Sequence, residues 1–214
     1  MKTSYRTPNA FFASPSGRRL QDQTAGLVSA ADPRPPFIVF GLFSPFLKAF
    51  EQKHPEIIFE CETIKDSRFL SSLPAPNSAG AVFISSLNAS IDENRTLLIK
   101  ESFRLLKPDG FLFLLVRKKS PPFINEIPET RIDGISDEFE SAGFTLLNRK
   151  GLLHFPYDIP FAEKADELFF KLSAGTGSFT FFTARKKALV PSVANENYNP
   201  ARITKASVFT SPRT

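Results

Sequence analysis

LLIKESFRLLKPDGFLFLLV, residues 97–116, is the stretch that decides the fold. Leu97, Leu98, Ile99, Phe103, Leu105 and Leu106 recur at the spacing of an amphipathic helix, and Phe111 to Val116 is the nearly unbroken apolar run that an interior strand requires. Lys107-Pro108-Asp109-Gly110 joins the two. Pro108 cannot continue a helix and pushes Lys107 out of the helical region, while Gly110 can take the positive φ that re-aims the chain. A helix running directly into a buried strand is an α/β unit.

The alternation extends both ways from this junction. Upstream, Ser90 and Glu93 have the spacing of a capping box that starts the helix, and Ala81-Val82-Phe83-Ile84-Ser85-Ser86 reads as another buried strand. Earlier still, Phe37-Ile38-Val39-Phe40 has the composition of a central parallel strand. Gly41 then opens a turn, Pro45 suits the start of a helix presenting Phe46, Leu47, Ala49 and Phe50, and His54-Pro55 ends it. Glu56 to Glu60 follows as a strand, so residues 37–62 make a βαβ unit. Downstream, Ile135, Phe139 and Ala142 mark a short helix that Gly143 terminates, and Phe144 to Leu147 begin a strand. Phe161, Ala165, Leu168 and Leu172 give the apolar side of a helix started by Pro160, and Phe179 to Ala184 form the last strand.

Two of these junctions carry a resemblance. The Leu106-Lys107-Pro108-Asp109-Gly110 turn and the run Leu73-Pro74-Ala75-Pro76-Asn77-Ser78 resemble the approaches to the fifth and fourth strands of class I S-adenosylmethionine-dependent methyltransferases. Ala142-Gly143-Phe144 resembles the approach to that family's sixth strand. The resemblance spans residues 37–187 and implies an α/β, Rossmann-like methyltransferase fold, with a mostly parallel sheet and one antiparallel strand near the C-terminus. It also implies S-adenosylmethionine as the cofactor of an active enzyme. Glu62 and Leu73 lie too close together for the family's second helix and third strand, so one βα step is expected to be missing. The shortened first half is similar to the methyltransferase-like N-terminal domain of anamorsin, an iron-sulfur assembly protein whose domain is regarded as unable to bind the cofactor. Anamorsin's clusters sit on cysteine motifs, and Cys61 is the single cysteine here, so that chemistry is excluded for this chain.

The first βαβ unit is where a nucleoside would sit. Glycines after the first strand let the backbone approach the ligand, and an acid about 20 residues on bonds the ribose hydroxyls. Gly41 with Glu60 or Glu62 keeps that spacing. The family's G-x-G-x-G is replaced by Gly41-Leu42-Phe43-Ser44-Pro45, in which the Phe43 ring takes up ligand volume and Pro45 removes an amide donor. After the fourth strand, Ser85, Ser86 and Asn88 offer polar groups toward a ligand or as helix caps. The candidate cofactor-binding residues are therefore Gly41, Glu60, Glu62, Ser86 and Asn88, with no catalytic residue singled out and no metal site expected. His54 and His154 have no acid or cysteine at a spacing that makes a zinc site or a nucleophile pair, and Gly175-Thr176-Gly177 lacks the Lys-Ser/Thr of a phosphate loop.

The charge of +5 lies outside the expected domain. Residues 1–36 carry five basic against two acidic side chains and residues 188–214 three against one, leaving 19 of each sign in residues 37–187. Both ends are rich in Pro, Ser and Thr without clear periodicity, so they read as a flexible N-terminal arm (1–36) and a disordered C-terminal tail (188–214). Thr7-Pro8, Ser14-Pro15 and Ser211-Pro212 match sites for proline-directed kinases. Arg117-Lys118-Lys119 and Arg185-Lys186-Lys187 read as solvated strand ends, so nucleic acid is expected only through the basic tails. No apolar run is long enough for a bilayer and no secretory leader is recognisable, which leads to the expectation of an intracellular, cytoplasmic protein without membrane contact. The function expected is a degenerate methyltransferase-like domain with lost or weakened cofactor binding, serving as a module that binds a protein partner. The alternative is an active S-adenosylmethionine-dependent methyltransferase with an atypical pocket.

Overall fold

A computed structural model of the chain describes residues 7–42, 44–53, 56–64, 69–118, 127–155, 161–172 and 177–187, with the side chains of 44–46 and 49 left aside. In chain order the elements are α1 (Pro8–Ala13), α2 (Pro15–Ala30), β1 (Phe37–Phe40), α3 (Ser44–Lys53), β2 (Ile57–Cys61), α4 (Phe69–Ser72) and β3 (Ala79–Ser85). They continue with α5 (Ala89–Glu93), α6 (Arg95–Leu105), β4 (Leu106–Arg117), α7 (Ile135–Ser141), β5 (Phe144–Leu152), α8 (Ala162–Leu172) and β6 (Phe179–Lys186).

The strands form one six-stranded sheet in the order β2-β1-β3-β4-β6-β5. β1 pairs parallel with β2 and β3, and β3 with β4, whereas β6 runs antiparallel to both β4 and β5. Alternate residues of each strand feed two separate cores, as a sheet covered on both faces demands. Phe37, Val39, Phe83, Phe113 and Phe181 pack with Phe11, Phe12, Leu20 and Phe50 on one face. Ile38, Phe40, Val82, Ile84, Leu112, Leu114 and Phe182 pack with Ile91, Leu98, Ile99 and Phe139 on the other. The expected Rossmann-like α/β architecture with one antiparallel strand is the one observed. Between β2 and β3 the described residues hold only the single turn of α4, so β2 is left at the sheet edge.

The N-terminal segment departs from the sequence reading. Residues 8–30 are two helices, not a flexible arm, and Phe11, Phe12, Leu20 and Val28 are buried in the first core. Thr7 and Ser14 accept hydrogen bonds from the amides of Ala10 and Gly17, and a proline follows each at the first helical position. These Thr-Pro and Ser-Pro pairs are therefore helix starts. Periodicity was hidden because the inward face of α2 includes Ser16, Gly17, Gln21 and Thr24. Thr24 satisfies its hydroxyl on the Leu20 carbonyl, and Gln21 donates to the Phe12 carbonyl. The expected C-terminal tail, 188–214, lies outside the described residues.

Gly17 lets α2 cross α1 closely, because a Cβ there would stand 2.1 Å from the Phe11 carbonyl oxygen and 2.6 Å from Phe12 Cα. Gly17→Ala is expected to cost about 1–3 kcal/mol by overpacking backbone that cannot yield. Gly26→Ala, at an exposed position of the same helix with nothing within 4 Å, is expected to gain about 0.5–1 kcal/mol. Urea denaturation of the two variants against the parent checks the opposite signs.

Three local details also differ. At the helix-to-strand junction Asp109, not Gly110, takes the positive φ, at 62°. Gly110 serves close approach, since a Cβ there would lie 3.0 Å from the Gly80 carbonyl oxygen. Ahead of α6 the cap is Asn88, whose side chain accepts from the Ser90 amide, and Asn94 breaks the expected single helix into α5 and α6. α8 is rotated relative to its apolar pattern. Ala162 and Asp166 face inward with Phe170 packed on the first core, while Phe161, Leu168 and Leu172 are exposed.

Candidate functional site

The strand order reverses between β1 and β3, and in open α/β sheets a ligand binds in the crevice outside the carboxyl ends at that point. Gly41 leaves β1 there with φ at 77° and donates its amide to the Cys61 carbonyl at 2.7 Å. The space its missing side chain creates is already used by the chain. A Cβ on Gly41 would lie 2.3 Å from the Ser85 carbonyl oxygen and 3.0 Å from Ile91 Cγ1. Ile91 is fully buried against it, and Leu42, the next residue in the chain, is nearly so. Phe43 is outside the described residues, and the side chain of Pro45 is likewise not described.

Glu60 and Glu62 are both exposed where β2 ends. With Val39, Leu42, Leu47 and Cys61 they line a cleft of about 220 Å³, below the roughly 300–1,000 Å³ of ordinary ligand sites. Gly41, Glu60 and Glu62 are thus brought to the same end of β1 and β2, as the spacing requires. Burial pushes the Cys61 thiol above its usual range, which disfavours the nucleophilic thiolate at this cleft. Ser86 is completely buried after β3, its amide donating to the Leu115 carbonyl. The hydroxyls of Ser85 and Ser86 have no hydrogen-bond partner among the described residues. Asn88 is occupied as the α5 cap, its Oδ1 accepting from both the amide and the hydroxyl of Ser90.

Two polar networks were not legible in the sequence. Arg117, expected as a solvated strand end, is 2% exposed at the carboxyl end of β4. Its guanidinium donates to the Ile127 carbonyl at 2.6 Å and meets Glu129 at 3.3 Å. Thr130 in turn donates to Asp92 on α5 at 2.8 Å, and Arg95 bridges Asp92 and Glu138. These bonds hold the 127–130 segment over the end of β4. The second network brings His154, after β5, to Asp166 of α8, with Nδ1 3.4 Å from Oδ1. Asp166 also accepts from the amides of His154 and Phe155 and from Gln23, and Arg19 Nε lies 3.8 Å away. α2 contributes to this network through the Gln23 hydrogen bond and the Arg19 ion pair. Among the described residues no cluster of His, Cys, Asp and Glu could hold a metal ion, and no helix is long and apolar enough to cross a membrane.

No protein-family model matches this sequence, and no curated protein is similar to it by sequence. Solved structures do share its fold. A Thermotoga maritima S-adenosylmethionine-dependent methyltransferase, described as a possible histamine N-methyltransferase, is 13% identical with a TM-score of 0.55, over 84% of this chain and 94% of that one. An Archaeoglobus fulgidus S-adenosylmethionine-dependent methyltransferase is 11% identical with a TM-score of 0.54, over 82% and 96% of the two chains. The chain therefore has the fold of class I S-adenosylmethionine-dependent methyltransferases, and among the described residues only α4 lies between β2 and β3.

Proposed function

We infer that this chain is a methyltransferase-fold domain that has lost or weakened its cofactor site and acts by binding a protein partner. The observation that supports this most is the packing of Ser85 and Ile91 onto Gly41 at the switch point, where bare backbone would otherwise meet a nucleoside. The cleft beside Glu60 and Glu62, at about 220 Å³, is smaller than an ordinary ligand site, and the two acids are free to serve as solvated strand-end charges. A protein partner follows from what a fold without its small ligand still offers, which is surface.

Thermal unfolding with and without S-adenosylmethionine tests the reading. A ligand at about a hundred times its dissociation constant adds roughly 2.7 kcal/mol of stability, and a domain of this size gains about 2–4 °C per kcal/mol. No shift is expected at millimolar ligand. A shift of several degrees would favour the second reading, an active methyltransferase with an atypical pocket. One observation supports that alternative: the buried Ser85 and Ser86 hydroxyls at the carboxyl end of β3 have no partner among the described residues, and a bound ligand would satisfy them.

A further inference from the structure

At the opposite end of the sheet, three segments distant in sequence converge. The α2–β1 connection brings Asp32 and Arg34, the helix-to-strand junction brings Lys107 and Asp109, and the end of β6 brings Arg185, Lys186 and Lys187. They line two adjoining concavities of about 370 and 420 Å³, which share Asp109 and Arg185. Five basic side chains against two acidic ones leave an excess of three positive charges here. Residues 37–187 as a whole balance, with 19 basic and 19 acidic side chains. The excess is a local field, and it is concave.

The aspartates do not cancel it. Asp109 meets Arg185 at 3.4 Å with both side chains about half exposed, the kind of surface pair that water and salt largely screen. Lys186 is the buried member of this basic set. It is 8% exposed, and its ammonium donates to the Leu106 carbonyl at 2.6 Å and the Asn77 amide oxygen at 3.2 Å, above the Phe103 ring. No carboxylate lies within ion-pair distance of it among the described residues. An ammonium has three donors, and here they meet neutral dipoles and no counter-charge. Burial lowers its pKa accordingly. Arg34, Lys107, Arg185 and Lys187 are exposed around this wall, and the Arg185 guanidinium lies 5.9 Å from the Phe111 ring centroid. Guanidinium and ammonium groups lining two adjoining cavities of small-molecule size match a phosphate, whose oxygens accept several charge-assisted bonds at once.

We propose that the groove formed by Arg34, Lys107, Arg185 and Lys187 at the amino end of the sheet binds a phosphate-bearing anion, either a free nucleotide or the phosphates of a polynucleotide. The site is independent of the crevice at Gly41 and does not rest on the protein-binding reading.

Fluorescence anisotropy of the full chain at low salt tests it, using a fluorescent adenosine triphosphate analogue and a labelled short single-stranded RNA, with inorganic tripolyphosphate as competitor. At least one probe is expected to bind and to be displaced by tripolyphosphate. The double variant Lys107→Glu/Arg185→Glu alters exposed side chains only and is expected to weaken that binding at least tenfold. Lys48→Glu/Lys164→Glu makes the same change in net charge on α3 and α8 and is expected to change it less than twofold. Binding of the RNA with a steep salt dependence, well above that of the nucleotide, assigns the source as polynucleotide; preference for the nucleotide assigns the free ligand. The proposal is overturned if neither probe binds, if both double variants lose affinity equally, or if the groove variant binds as the parent does. Displacement by polyglutamate as effective as by tripolyphosphate also overturns it.

Discussion

Removal of residues 1–31 is expected to leave a chain that does not form a soluble, cooperatively folding domain. α1 and α2 supply Phe11, Phe12, Leu20 and Val28 to the core that covers Phe37, Val39, Phe83, Phe113 and Phe181. Each fully buried aromatic of this kind is worth roughly 1.5–3 kcal/mol of burial, and the deletion would uncover much of one face of the sheet, leaving it to Phe50 of α3 and Phe170 of α8. A domain holding only about 5–15 kcal/mol of net stability cannot absorb that loss. Phe11→Ala is the graded form of the experiment. Its ring stacks on Phe179 at 5.9 Å and meets Phe12 edge-on at 5.1 Å, so truncation is expected to cost about 3–5 kcal/mol. Circular dichroism and size exclusion of the deletion, with melting of the point variant, read both. A deleted chain that stays monomeric with an unchanged melting transition would show that the two helices contribute nothing to the fold.

The other large effect is expected at Asp166. It is 1% exposed, and its carboxylate accepts from the amides of His154 and Phe155 and from Gln23, beside Arg19. Asp166→Ala would leave those donors unmatched and remove the acid facing a partly buried guanidinium, at a cost of about 3–5 kcal/mol. Asp166→Asn keeps the shape and one accepting oxygen, so about 1–3 kcal/mol is expected. The ordering of the two variants by chemical denaturation carries the argument. Equal and small losses would mean that the network joining α2, the end of β5 and α8 is incidental to stability.

Where the sequence was legible, burial and local pattern agreed. Phe37 to Phe40, Ala81 to Ser85 and Leu112 to Val116 are buried on both faces of the sheet, with Phe111 half-buried, so their apolar runs read directly as strands. The helix-to-strand junction at Pro108 and the helix stop at Gly143, with φ at 91°, were equally local. α1 and α2 were missed because Pro8 and Pro15 count as breakers inside a helix but as starters after a capping Thr or Ser. The wrong face of α8 was expected because Asp166 is polar, and only the fold reveals the amides that make its burial tolerable. The candidate site followed the same division. The spacing of Gly41, Glu60 and Glu62 placed them together at the ends of β1 and β2. That Ile91, fifty residues later, would close on Gly41 is a long-range contact with no local signal. The groove at Lys107 and Arg185 was beyond reach for the same reason, since its three segments meet only through the sheet order.

On the proposed reading, Ser85 and Ile91 close the crevice at the reversal of strand order around Gly41. Amide chemical shifts recorded during titration with S-adenosylhomocysteine to millimolar concentration address it residue by residue. Gly41, Leu42, Glu60, Glu62, Ser86 and Ile91 are predicted to keep their positions throughout. Saturable shifts at Gly41 and Glu60 or Glu62, with a micromolar dissociation constant, would contradict the account and return the chain to the working methyltransferases.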